Sequence, residues 1–221
     1  MKFIIITKKK WDLNNFKNLN KNIFVFDKIN LIKIKKINPK IIFFIHWSKY
    51  IQDFLFNKYL CIQFHSSNLP KGRGGSPIQN QILSNIKKTK ISAFKVSQKL
   101  DSGPICLQYN LSLKGSALDI LKRIENKSIQ MIKKIINIKN LNFKKQKGKP
   151  SLFKRRMPSE SIINLYKTTT INKLYDFLRM LDAPCYPKAY VKLNKFKFMF
   201  NDIKLNKRKI NAKVEIIKNE K

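Results

Sequence analysis

Apolar residues in this chain come in short dense runs of strand length, separated by polar stretches rich in lysine and asparagine. Phe3 to Ile6, Ile23 to Phe26, Ile41 to Ile45 and Cys61 to Phe64 are the clearest. Runs without alternation predict strands covered on both faces, as in a parallel sheet. Between them, Lys8 to Trp11 reads as a turn, and Ile29 to Ile37 as a short helix or loop closed by Pro39. Lys49 to Asn57 reads as a helix with Ser48 as its N-cap. This alternation predicts a parallel α/β sheet.

Further on, Lys90 to Ser97 and Ile105 to Leu113 are strand-like and bracket a Gly-Pro turn. Ser116-Ala-Leu-Asp119 opens a helix in capping-box style, and Leu118, Leu121, Ile124, Ile132 and Ile135 fall on one face as far as about Ile138. From Asn140 to Ser151 the composition turns to Lys, Asn and Gly, with Pro150, and reads as a linker. A helix near Ile171 to Leu181, a turn at Pro184 and Pro187, and a hairpin from Ala189 to Leu205 around Asn194 follow. The expected organisation is a Rossmann-like, mostly parallel sheet over residues 1–139, a linker at 140–152, and a small C-terminal α+β lobe at 153–221. No Gly-x-Gly-x-x-Gly follows the first strand, so dinucleotide binding is excluded.

A chain of 221 residues with 43% hydrophobic content can bury one substantial core with a small annex. The net charge of +36 would ordinarily indicate a polyanionic partner. Of the 48 basic residues only six are Arg, and the lysines run through the whole chain, which fits compositional bias better than a dedicated RNA-binding surface. Cys61, Cys106 and Cys185 show neither a disulfide framework nor metal-ligand spacing, so no metal is expected and a reducing cytoplasm fits. The N-terminal apolar run of four residues is shorter than the roughly 7–15 of a secretory leader. Nothing approaches the ~20 apolar residues of a membrane span.

Two stretches carry the chemistry. Ile62-Gln-Phe-His-Ser-Ser-Asn-Leu-Pro-Lys-Gly-Arg-Gly-Gly-Ser-Pro-Ile-Gln-Asn-Gln81 joins a strand, a histidine turn, a glycine-rich loop and a helix start, with Ser76 as cap and Pro77 as first helical residue. His65 falls where the strand leaves the sheet, and ligands of open α/β sheets bind at such ends. Gly72, Gly74 and Gly75 allow close backbone approach to a ligand or to the sheet. The second stretch, Lys99-Leu-Asp-Ser-Gly-Pro-Ile105, sets an acid in a turn 36 positions after His65. Alone, Asp101 reads as an ordinary Asx-turn residue; the pairing argues for a site.

Together these stretches resemble the paired signatures of the 10-formyltetrahydrofolate-dependent formyltransferases, which include methionyl-tRNA formyltransferase and sugar-nucleotide N-formyltransferases. The resemblance runs from about Met1 to about Leu205 and implies the formyltransferase fold. The wording Gly-Arg-Gly-Gly-Ser-Pro-Ile-Gln-Asn, with Arg179-Met-Leu-Asp-Ala-Pro-Cys-Tyr-Pro-Lys-Ala189, is closer to the sugar-modifying members. The activity it implies is transfer of a formyl group from 10-formyltetrahydrofolate to the amine of a nucleotide-linked amino sugar. Methionyl-tRNA formylation is the second reading, disfavoured by the short chain after Leu205, and a catalytically impaired folate- or polyanion-binding relative is the third. A homodimer is left open.

Carried over residue by residue, the resemblance gives His65 and Asp101 the proton handling and places Gln63 where the family has an oxyanion-donating asparagine. Gln63 shares a strand face with His65 and is also an amide donor, but it is one methylene longer. Asn68 is an alternative amide in the same turn. His46, Trp47 and Ser48, together with Gly103 and Pro104, would line the folate pocket. Arg73, Gly74, Gly75, Gln79 and Asn80 would face the acceptor, and Arg155 and Arg156 are candidates for its phosphates. Arg179 and Tyr186 read as structural.

Overall fold

The computed structural model describes residues 1–8, 15–16, 19–166 and 170–218, so the expected turn at Lys8 to Trp11 lies outside the described residues beyond Lys8. The chain divides into two compact units: 1–77 with 89–111 and 123–153, and 78–88 with 112–122 and 154–221.

The first unit is built on β1 (Phe3–Thr7), β2 (Ile23–Phe26), β3 (Ile41–Ile45) and β4 (Leu60–His65), with helices α1 (Leu31–Ile37) and α2 (Asp53–Lys58) as connections. β1 pairs in parallel with both β2 and β3, and β3 with β4. The continuous apolar runs are those strands, and every residue of β1 and β3 is buried. Ile4, Ile6, Ile42, Phe44 and Cys61 join Ile34 of α1, Leu55 of α2 and Trp47 in one cluster. Each fully buried Ile or Phe contributes about 1.5–3 kcal/mol relative to exposure. Asn30 caps α1, its side chain accepting from the Lys33 N–H. Ser48 does not cap α2: it is exposed, and the helix starts only at Asp53 after Gln52. Residues 48–52 carry one apolar anchor, Ile51, which is buried in the cluster.

Two more strands, β6 (Lys88–Lys95) and β7 (Ile105–Ser112), complete a six-stranded sheet in the order β2-β1-β3-β4-β6-β7. β6 is antiparallel to β4, with Ser92 opposite His65 and Lys95 opposite Ile62. The sheet is therefore mostly parallel with an antiparallel end, and the chain reaches Asp101 only after β6 has run away from His65. A short pairing, β5 (Arg73–Gly74) with β8 (Leu152–Phe153), lies apart from this sheet. Helix α4 (Ala117–Asn137), which follows α3 (Pro77–Leu83), opens with the expected box: Ser116 Oγ accepts from the Asp119 N–H, and Asp119 Oδ2 accepts from the Ser116 N–H. Its buried stripe runs Ala117, Ile120, Leu121, Ile124, Met131, Ile132 and Ile135, with Glu125 and Ser128 inside it.

The second unit holds α5 (Ile171–Arg179) and an antiparallel sheet of β9 (Ala189–Leu193), β10 (Phe196–Asn206) and β11 (Lys209–Lys218). Asn194 takes the left-handed turn position between β9 and β10. The expected hairpin is thus two-thirds of a sheet whose third strand lies past Leu205. A register shift between Asn201 and Lys204 is held by Asp182, whose carboxylate accepts from the N–H groups of Asp202 and Ile203. Arg179 is a structural residue: it is buried and donates to the carbonyls of Leu113 and Gly115 and to Asp176.

Candidate active site

The site lies in the first unit, at the end of β4. His65 closes that strand and is buried, and the Asp101 carboxylate, 4% exposed, lies with Oδ2 3.6 Å from His65 Nδ1. The other ring nitrogen, Nε2, is 2.7 Å from the Gly72 carbonyl. A carbonyl only accepts, so Nε2 carries the proton and Nδ1 of the neutral ring keeps its lone pair beside the carboxylate. Asp101 sits at φ 47°, in the left-handed region that Asp tolerates better than most side chains. Its Oδ2 also accepts the Gly74 N–H at 2.8 Å.

The turn that brings Asp101 back is closely tied. Ser102 Oγ donates to the Lys99 carbonyl at 2.8 Å, and the Lys95 N–H donates to Pro104 O at 2.9 Å. Gly103 has no room for a side chain, since a Cβ there would be 1.7 Å from the Lys95 carbonyl oxygen. Gly103 and Pro104 therefore shape the turn.

The glycine loop is committed differently from what its composition suggests. The N–H of Gly72 donates to Ser151 Oγ, that of Arg73 to Ser151 O, that of Gly74 to Asp101, and that of Gly75 to Phe153 O. All four amides are engaged within the protein, so the loop is not an anion cradle. Its glycines let β8 approach: a Cβ at Gly74, where φ is +96°, would be 2.5 Å from Phe153 O. Arg73 is likewise engaged, with Nη2 donating to Gln146 Oε1 at 2.7 Å and Nε at 3.2 Å.

Gln63 is half-buried and directs Nε2 to the Trp47 carbonyl at 3.4 Å, a long bond that leaves its second amide hydrogen uncommitted among the described residues. Asn68 is exposed, which weakens it as the alternative donor. His46, at φ 50°, turns the chain out of β3. Trp47 is buried against Phe44 with ring centroids 5.8 Å apart, and Ser48 is exposed. Trp47 Nε1 and Ser67 Oγ are buried and make no hydrogen bond within the described protein. Buried polar groups are normally satisfied, so these two suit a polar ligand at this end of the sheet. The Ser67 carbonyl is held by Ser92 Oγ, which accepts from Gln108 Nε2.

Other expected acceptor-side residues belong to the second unit. There Gln79 is buried and bonded to Tyr186, and Asn80 Nδ2 donates to Lys154 O. Arg156 donates to Glu160 O and stacks on Phe177, while Arg155 is exposed. Sequence reasoning missed Gln146 and Ser151, which it placed in a linker. They hold the glycine loop and the Asp101 turn, and a lone Gln among lysines gives no signal of that. Among the described residues no cluster of His, Cys, Asp or Glu could hold a metal ion.

The chain is 38% identical to a solved structure of methionyl-tRNA formyltransferase from Clostridium thermocellum, over 99% of this chain and 100% of that one, with a TM-score of 0.93. It belongs to the methionyl-tRNA formyltransferase family. Residues 158–217 match the family domain described as "Methionyl-tRNA formyltransferase, C-terminal domain". The Prochlorococcus marinus methionyl-tRNA formyltransferase is 29% identical over 178 residues, which are 75% of this chain and 49% of that protein. The chain thus spans about half the length of that curated relative. A 4-N formyltransferase from Francisella tularensis shares the fold, with a TM-score of 0.70 over 87% of this chain and 93% of its own, at 19% identity. The family membership expected from the motifs therefore stands. The acceptor preference read from the motif wording is not matched by the names of the Clostridium thermocellum and Prochlorococcus marinus proteins, which are those of the tRNA enzyme. The C-terminal domain match falls within the small lobe expected at 153–221.

Proposed function

We propose that this chain transfers a formyl group from 10-formyltetrahydrofolate to an amine, with methionyl-tRNA as the acceptor. The observation that carries the reading is the buried His65–Asp101 pair, formed by the two motifs that mark the family. The folate supplies an activated formyl group. Trp47, through its ring and unpartnered Nε1, and Ser67, through its Oγ, are the groups that would hold it. Formyl transfer to an amine requires one proton to leave the incoming nitrogen and one to reach the departing nitrogen. With Nε2–H fixed on Gly72, the ring takes a proton at Nδ1, where the carboxylate stabilises the imidazolium. His65 and Asp101 therefore hold the mobile proton as one unit. Gln63, through its uncommitted amide hydrogen, is the candidate donor to charge developing on the formyl oxygen.

For the acceptor, the names of the relatives favour tRNA. A nucleotide-linked amino sugar is the second reading, favoured by the wording of residues 72–80. One assay separates them: 10-formyltetrahydrofolate with methionyl-tRNA, and in parallel with dTDP- and UDP-linked amino sugars, following tetrahydrofolate release. Transfer to methionyl-tRNA that weakens steeply with salt supports the first reading. Transfer to a sugar nucleotide alone replaces it with the second, and a chain that binds folate but formylates neither acceptor is the impaired relative. In the active case, His65→Asn lowers turnover by about 10²–10⁴ without unfolding the chain.

A further inference from the structure

Gln146 lies in the 140–151 segment, outside any regular element, yet its side-chain amide is fully used. Nε2 donates to the Asp101 carbonyl at 2.8 Å and to the Gly103 carbonyl at 2.8 Å. Oε1 accepts from Arg73 Nη2 and Nε. An amide has two donor hydrogens and two acceptor sites, and here each has a partner. The segment is itself fixed, because Lys144 exchanges backbone hydrogen bonds with Ile105 at 2.8 and 2.9 Å. Asp101 is therefore gripped twice: its main chain by Gln146, its carboxylate by the Gly74 N–H. Arg73 ties the two grips together, since it precedes Gly74 and donates to Gln146.

The geometry points to Gln146 as a positioning residue that holds the Asp101 turn and the glycine loop in mutual register, so that the carboxylate meets His65 Nδ1. This role rests on the formyl-transfer reading above for its kinetic consequence, but its structural consequence is independent of it. Left-handed Asp101 follows a strand that leads away from His65. The Lys95–Pro104 and Ser102–Lys99 bonds close the turn locally, and the amide donors to residues 101 and 103 set it against the glycine loop. Glutamate at 146 would keep the acceptor for Arg73 but lose both donors, and would set carboxylate oxygens against two carbonyls.

The test compares full-length wild type, Gln146→Ala and Gln146→Glu, each labelled with ¹⁵N-glycine. Only six glycines contribute amide signals, so the Gly74 N–H can be followed by itself. In both variants Gly74 is expected to exchange with solvent at least about tenfold faster, while Gly115 and Gly148 keep their wild-type rates. The single-turnover transfer rate falls by about tenfold or more with KM for the folate within about twofold, Glu being no better than Ala. An unchanged Gly74 amide overturns the proposal. So does a Gln146→Glu variant with wild-type turnover, which would leave Gln146 as a mere partner for Arg73. If wild type formylates no acceptor, the reaction reading fails, and the Gly74 signal still decides the clamp.

Discussion

Asp101→Asn separates charge from shape at the centre of the site. Asparagine keeps the volume and one oxygen able to accept the Gly74 N–H, so the turn is retained. What disappears is a negative charge 3.6 Å from His65 Nδ1. At an effective dielectric of about 20 such a charge stabilises the imidazolium by about 5 kcal/mol, and in bulk water by about 1 kcal/mol. Half of the larger figure is about a fiftyfold rate effect, so a fall of about 10¹–10³ in single-turnover rate is expected at saturating folate. The folding free energy should change by less than about 1 kcal/mol, because no bond to Gly74 is lost. Tetrahydrofolate release reads the rate and a urea melt reads the fold. A variant within threefold of wild type, with an unchanged melt, would refute the view that the carboxylate acts through its charge on His65.

Gly103→Ala should slow transfer and lower the melting temperature by several degrees, since a methyl 1.7 Å from Lys95 O forces two backbone segments apart; a wild-type melt would show that the turn yields freely. Arg179→Ala should cost about 2–4 kcal/mol in a urea melt by leaving two carbonyls without their buried donor and Asp176 with Lys87 alone, and a loss below about 1 kcal/mol would contradict the bonding described. Trp47→Phe keeps a ring and removes Nε1–H, so the fold should hold while folate affinity, followed by fluorescence or calorimetry, drops by about five- to tenfold; unaltered affinity would remove Trp47 from the pocket. Burial pushes the Cys61 and Cys106 thiols up to about 12 from 9.0, so both are protonated and unreactive toward a disulfide reagent at pH 8 in the native chain. Their contribution to stability is complete below about pH 9 and is lost as the pH rises toward about 12, because the unfolded thiols ionise first. Rapid labelling of all three cysteines at pH 8 would contradict this.

How much was legible depended on whether a feature is local. β1, β3 and β4 are read within a residue or so because strands buried on both faces need continuous apolar runs, and the Ser116–Asp119 box announces α4 from four residues. The α2 start was misplaced because Ser48 has the right chemistry for a cap at a point where the chain is still irregular. β11 was missed although Ile210, Ala212, Val214 and Ile216 alternate with polar residues; in a lysine-rich tail that period is easily passed over. Within the site, His65 and Asp101 are marked by their motifs. The use of the glycine-loop amides is not, because their acceptors come from residues 151 and 153 and from Asp101, a match that only the folded chain makes.

The β5–β8 pairing sets a timetable for the making of this protein. The six-stranded sheet is complete in sequence by Ser112, with both members of the His65–Asp101 pair already translated. Beyond the direct Gly74–Asp101 bond, the partners that brace residues 72–75 and the Asp101 turn emerge from the ribosome only with Gln146 to Phe153. A nascent chain can therefore have every strand of that sheet before it has the residues that brace the Asp101 turn against the glycine loop.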